Sequence, residues 1–168
     1  DFDKTMLGIA PMNLALHGVE SPNLVQRDSL SQDASNSTTE ICTVVLTNPP
    51  FTASADIEGA DKELARFLGR QGKRAKKTQR SKDSQTALAF LALSLRLLRP
   101  GGKSAIVVPD GVLFRNVKVY KEQRRVLGEC QKLEAVLSLP AGVFRPYSGA
   151  STAILIFTRT DSGGTDHV

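Results

Sequence analysis

The residues with the most chemical content are Asn48, Pro49, Pro50 and Phe51, which follow directly on the apolar run Val44-Val45-Leu46. Two prolines end a strand for a plain reason: neither has an N–H to donate. A strand-ending turn is therefore one reading of the motif. The other is chemical. The Asn48 side chain offers a carbonyl oxygen as acceptor, and the backbone carbonyl of Pro49 offers a second, aimed by the narrow backbone range of a tandem proline. Two acceptors placed on the hydrogens of an exocyclic amino group would localise a lone pair that is otherwise delocalised into the ring. Phe51 would stack on the base once it had left the duplex. Such a site needs no strong base. Positioning for in-line attack, with electrostatic support for the charge developing on nitrogen, carries the reaction.

Residues 3–17 have helical spacing of Met6, Leu7, Ala10, Leu14 and His17, with Asp3 as N-cap, Gly18 at the C-terminal end and Pro11 as a kink. His17 reads as a packed or capping residue. A short strand is expected over 23–30, followed by a polar loop over 31–40. The run 41–47 reads as a strand buried on both faces, as in a parallel sheet. A leucine-rich helix is expected over 84–102, ended by Pro100-Gly101-Gly102. Strands at 103–109, 133–140 and 151–159 and a helix at 117–130 complete the pattern. Strand and helix alternate, so the class is α/β with a mostly parallel sheet. Ligands in such sheets sit beyond the carboxyl ends of the strands. Asp28, Asn48 and Asp110 all fall at expected strand ends and would share that edge. Asp110-Gly111 reads primarily as a turn pair. Phe144 and Tyr147 are candidates to line a base pocket, while Phe114 is expected in the core.

The formal net charge of +5 is unevenly spread. Between Lys62 and Lys82 lie nine Lys or Arg residues and one acid, Glu63. Such a cluster, with Lys73, Arg74, Lys76 and Lys77 at its centre, suits a phosphate backbone; a solvated loop is the alternative. No apolar run approaches the ~18 residues of a membrane span. The first residues do not have the pattern of a secretory signal. Cys42 and Cys130 are isolated, with neither metal spacing nor a disulfide framework, as suits a reducing cytoplasm.

The stretch Thr47-Asn48-Pro49-Pro50-Phe51 after an apolar strand resembles motif IV of the amino-methyltransferases. The wider chain resembles the adenine-specific DNA methyltransferases that serve as modification subunits of type I restriction–modification systems. "MNLALHGVE", "LRLLRPGGKSAIVVPDGVLF" and "LEAVLSLPAGVFRPYSGASTAILIF" carry that wider resemblance. It implies a Rossmann-like S-adenosylmethionine-dependent methyltransferase fold acting on the N6 amino group of adenine in double-stranded DNA. It implies Asn48, Pro49, Pro50 and Phe51 as catalytic residues, and Asp1, Asp28 and Asn48 at the cofactor. It also implies Lys73, Arg74, Lys76 and Lys77 at DNA, and specificity and restriction subunits as partners in the cytoplasm.

The glycine-rich first motif of that family has no match here. The expectation is therefore an incomplete domain over 1–168, with the first strand missing, a basic loop at 52–83 and a hydrophobic edge exposed on the strand at 41–47. Cofactor binding by this stretch alone would be weak. Helix capping for Asp1 and turn formation for Asp28 remain alternative roles. A methyltransferase acting on RNA or on protein glutamine, and a non-catalytic interaction module, are the alternative functions.

Overall fold

A computed structural model describes residues 3–31, 40–50, 82–116 and 118–167. Its elements are helix α1 (Lys4–Leu16), strand β1 (Cys42–Thr47), helix α2 (Lys82–Leu97), strand β2 (Leu98–Pro109), the short helix α3 (Asp110–Phe114), helix α4 (Lys118–Arg125) continued by a π-turn (Val126–Cys130), strand β3 (Lys132–Leu139) and strand β4 (Thr152–Thr158). The strands form one sheet in the order β1-β2-β4-β3. β1 pairs with β2 in parallel, and β4 runs antiparallel to both β2 and β3. Three strands thus point the same way and β4 is reversed between two of them, so the described sheet is mixed, with one parallel and two antiparallel pairings.

The core lies on one face of this sheet. Ser104, Ile106 and Val108 of β2 stand beside Phe157, Leu155 and Ala153 of β4, and all six are buried. The leucine-rich face of α2 covers them through Leu88, Leu91 and Leu95, joined by Tyr120 and Leu127. Alternate residues of each strand supply this layer because strand side chains alternate between faces. The other face carries Val44, Leu46, Ala105, Val107, Ile154, Ile156 and Leu137, half-buried or exposed. The expectation that 41–47 is buried on both faces is therefore corrected. Among the described residues β1 lies at the edge of the sheet, and Val44 and Leu46 are 58% and 76% exposed, while Val45 packs against the core. An apolar run reports only that a strand wants burial; the layers present decide which face receives it.

Three local expectations change. Residues 23–30 form turns and irregular backbone rather than a strand, and the only buried residue there is Leu30. α2 ends at Leu97 and β2 begins at Leu98, so the Pro100-Gly101-Gly102 stop lies inside a strand. This start is irregular: Gly101 has φ +82°, and the pairing of β1 with β2 shifts register between Cys42 and Val44. Gly102 permits the approach, because a Cβ there would lie 2.9 Å from the Arg99 carbonyl oxygen and 3.1 Å from that of Thr43. Finally, α2 starts at Lys82, so the last two residues of the expected 52–83 loop are helical.

The helical reading of 3–17 holds closely. Asp3 caps α1 by accepting the N–H of Thr5 at 2.7 Å. His17 is the C-cap, donating from Nδ1 to the Asn13 carbonyl at 2.8 Å, and Gly18 follows at φ +80°. The helix span includes Pro11. No helix among the described residues is long and apolar enough to cross a membrane. Cys42 and Cys130 are free thiols.

The amino ends of the strands are tied by polar side chains. Arg159, just past β4, has a side chain only 17% exposed and pairs with Glu40 and Asp161, each at 2.9 Å. It also donates to the carbonyls of Leu98 at 2.6 Å and Leu95 at 3.3 Å, which closes the α2–β2 junction. The buried Gln131 accepts the N–H groups of Thr160 and Asp161 and donates to the Asp161 carboxylate. Removing the Arg159 guanidinium takes the donor from the Leu98 and Leu95 carbonyls and the charge partner from two half-exposed carboxylates. Arg159→Ala should lower unfolding stability by about 2–4 kcal/mol, read as a shift in the denaturation midpoint. Gly102→Ala should cost about 1–3 kcal/mol because the new methyl meets two backbone carbonyl oxygens and the buried Leu98 side chain.

Nearby, Glu134 accepts a hydrogen bond from the Thr158 hydroxyl at 2.6 Å and pairs with Lys103 at 2.9 Å. The Thr158 hydroxyl first, and Lys103 next, hold this carboxyl below the usual glutamate range. A carboxylate depressed by folding stabilises above its unfolded pKa, and that contribution is lost as pH falls through the folded value. The stability gap between the natural chain and Glu134→Gln should therefore be widest near neutrality and close below about pH 4, measured by thermal melts across pH.

Candidate active site

β1 delivers Asn48-Pro49-Pro50 to the carboxyl edge of the sheet. Its register is set by the parallel pairs Val45–Ser104, Leu46–Ala105 and Thr47–Ile106. Ser104 and Ile106 are core residues, so the position of Asn48 is anchored through its strand to the buried layer. Beyond Thr47 the strand stops. Asn48 and Pro50 are exposed, and Pro49 between them is buried. A buried Pro49 fixes the backbone, and the Asn48 amide is left facing solvent.

β2 ends at the same edge. Asp110 there opens the short helix α3 rather than a simple turn, and its N–H donates to the Ser151 carbonyl at 3.1 Å. A carboxylate in a first helical turn is favourable to the helix dipole. Arg124 closes the other end of α3 by donating to the carbonyls of Val112 at 2.9 Å and Arg115 at 3.2 Å. Nothing in the linear pattern marks Arg124 for this task, because its partners lie on the preceding element. The loop 140–150 between β3 and β4 also rises from this edge, since Thr152 pairs with both Pro109 and Leu139. That loop is built of hydrogen-bonded turns, including Arg145 N–H to the Gly142 carbonyl at 3.0 Å and Ser148 N–H to the Phe144 carbonyl at 2.9 Å.

The expected shared edge is thus met by Asn48 and Asp110. Asp28 is not at a strand end. Its Oδ1 accepts the Leu30 N–H at 2.9 Å, and its carbonyl accepts the Ser31 hydroxyl at 2.9 Å, so it forms a side-chain turn. Leu30 is buried, which ties that turn to the core and leaves the Asp28 carboxylate on the surface. Phe114 is 74% exposed, which corrects its assignment to the core: the side chain of the last residue of α3 points away from the layer that Val112 enters. Tyr147 is 88% exposed and Phe144 is half-buried. Asp1, Phe51, Lys73, Arg74, Lys76 and Lys77 lie outside the described residues. Among the described residues no group of three or more His, Cys, Asp or Glu side chains could hold a metal ion.

A carboxyl edge that presents an asparagine amide on a proline-stopped strand invites comparison with known proteins. The family model for N-6 DNA methylases matches residues 1–168. The methylase subunit of the type I restriction enzyme EcoEI from Escherichia coli is 33% identical over 147 residues, covering 88% of this chain and 27% of that protein. The EcoKI methylase subunit from Escherichia coli K12 is 31% identical over 157 residues, covering 90% of this chain and 26% of that one. The chain thus spans about a quarter of the length of these curated relatives. Among solved structures, the type I restriction–modification methyltransferase subunit from Streptococcus thermophilus superposes with a TM-score of 0.69 at 28% identity, over 95% of this chain and 33% of that one. The α/β sheet with its proline-ended first strand is that of a Rossmann-like methyltransferase, and the chain belongs to the N-6 DNA methylase family.

Proposed function

We propose that this chain is part of the catalytic domain of an adenine-specific DNA methyltransferase, the modification subunit of a type I restriction–modification system. The observation that carries the reading is the pairing of an exposed Asn48 with a buried Pro49 at the carboxyl end of β1. With the target adenine out of the duplex, its amino group would give one hydrogen to the Asn48 side-chain oxygen and the other to the Pro49 carbonyl. That arrangement draws the nitrogen toward tetrahedral geometry and frees its lone pair. Phe51, next in sequence, would stack on the base. S-adenosylmethionine, the cofactor of this chemistry, would supply the methyl group of its sulfonium, whose sulfur would keep the electron pair of the broken bond and leave as a neutral thioether. Within this chain the surface carboxylate of Asp28, held on a turn anchored by Leu30, suits a hydrogen bond to the cofactor's adenine amino group. Asp1 is the candidate for the ribose hydroxyls. After transfer the nitrogen is positively charged, and the two acceptors stabilise it until a proton leaves to water.

The basic residues Lys73, Arg74, Lys76 and Lys77 would contact the phosphates of double-stranded DNA. Specificity and restriction subunits of the same system are the proposed partners, in the cytoplasm where chromosomal DNA lies.

In the full subunit assembled with its partners, Asn48→Ala should lower labelled methyl transfer to DNA by about 10²–10³-fold, the worth of one preorganised donor or acceptor at a developing charge. Phe51→Ala should also reduce it severely. Near-natural transfer by either variant, or transfer to RNA or protein in preference to DNA, would sink the reading. Replacing Lys73, Arg74, Lys76 and Lys77 with Gln should flatten the slope of log K against log salt by about 3 to 4, measured by DNA titrations at several salt concentrations.

A further inference from the structure

The proposed chemistry uses Asn48 and the residues beside it. It leaves two large rings on the same sheet edge without a task. Tyr147 is 88% exposed and Phe114 is 74% exposed. Single exposed apolar residues are ordinary on a protein surface. These two differ in where they stand and in how firmly their backbones are held. Phe114 ends α3, a helix tied at one end by the Asp110 N–H to Ser151 and at the other by Arg124. Tyr147 lies in the turn-built loop 140–150, closed one residue later by Ser148 N–H to the Phe144 carbonyl. The two segments meet at their roots, because Pro109 and Leu139 both pair with Thr152.

The segments that carry the rings are rich in cations. Over 110–121 and 140–150 the cations are Arg115, Lys118, Lys121 and Arg145, and the acid is Asp110 alone. Lys118, Lys121 and Arg145 are exposed. Protein-binding patches deplete lysine around their aromatic residues. Rings interleaved with Lys and Arg are instead the composition of a surface that stacks bases and neutralises phosphates.

We propose that Phe114 and Tyr147, flanked by Arg115 and Arg145, form a second nucleic-acid contact at the carboxyl edge, stacking on bases unpaired around the extruded target. The inference rests on the DNA-methylating reading of the same edge. Extruding one base uncovers one face of each neighbour and leaves its partner unpaired, and an exposed ring on an ordered loop can stack where the base was lost. This role is one of positioning. It acts on DNA affinity and not on the methyl transfer itself.

The test uses the full subunit assembled with its partners. Tyr147→Ala, Phe114→Ala and Tyr147→Phe are compared in two measurements. One is fluorescence anisotropy of a labelled DNA duplex; the other is labelled methyl transfer to unmethylated DNA. Each alanine variant should weaken DNA binding and raise KM for DNA by between about 5- and 150-fold, the range for one lost base–aromatic stack. Affinity for S-adenosylmethionine, kcat at saturating DNA, melting temperature and subunit assembly should be unchanged, and Tyr147→Phe should behave as the natural protein.

Unaltered DNA affinity in both alanine variants would overturn the inference while the methyltransferase reading stands. So would loss of subunit assembly with DNA binding otherwise intact, which would assign the rings to a protein partner. A natural assembly that binds DNA without methylating it would sink the proposed activity, and the binding arm would still judge the rings. An assembly that does not bind DNA would overturn both.

Discussion

Everything at the functional edge depends on the hydrogen-bonded register of β2. It is one of the two inner strands, and it joins parallel β1 to antiparallel β4. Its Ser104, Ile106 and Val108 are fully buried, so a shift by one residue would turn this row to the open face and bring Lys103 toward the core. The core therefore pins β2, and β2 pins its neighbours. Asn48 is placed through Thr47 beside Ile106, Asp110 by the end of β2 itself, and the loop 140–150 by the pairing of Pro109 with Thr152. A polar site on an exposed edge borrows its precision from an apolar layer beneath it.

The two ends of the strands do different work. At the amino ends, Arg159, Gln131 and the Glu134–Lys103–Thr158 group satisfy one another and the neighbouring carbonyls. These groups spend their hydrogen-bonding capacity within the protein. At the carboxyl ends, Asn48, Phe114 and Tyr147 face solvent. A sheet that keeps ligands at the carboxyl ends can tolerate such groups because the opposite end carries the closure. The exposed Val44 and Leu46 belong to neither end. They lie on the face of the sheet opposite the core.

Local chemistry was readable wherever it acts through neighbours in sequence. Asp3 reaches N–H groups two and three residues away, so its capping role could be read directly. Asp28 reaches two residues ahead, and its turn was likewise visible as an alternative. The Asn-Pro-Pro-Phe motif carries its backbone restriction within itself. The misreadings fall where distant contacts decide. Residues 23–30 have strand-like composition but pair with no strand among the described residues. Phe114 is as apolar as any core residue, yet it ends a one-turn helix whose inward place Val112 takes. Arg159 and Arg124 look like ordinary surface cations; their partners lie up to 119 residues away in sequence, so no local pattern could single them out.

The sequence by itself determined the α/β class, the leucine-rich helix, and the presence of an amide, two prolines and an aromatic ring at the end of a strand. Periodicity and proline geometry are properties of adjacent residues, so they survive without a fold. Only the tertiary structure decided that Asn48 is exposed beside a buried Pro49, that Asp110 shares its edge, and that β1 buries one face alone. Those outcomes depend on which strand lies beside which and on where the helical layer sits. Both are set by contacts between residues far apart in the chain, and the free energy of burying apolar surface has no fixed address in sequence.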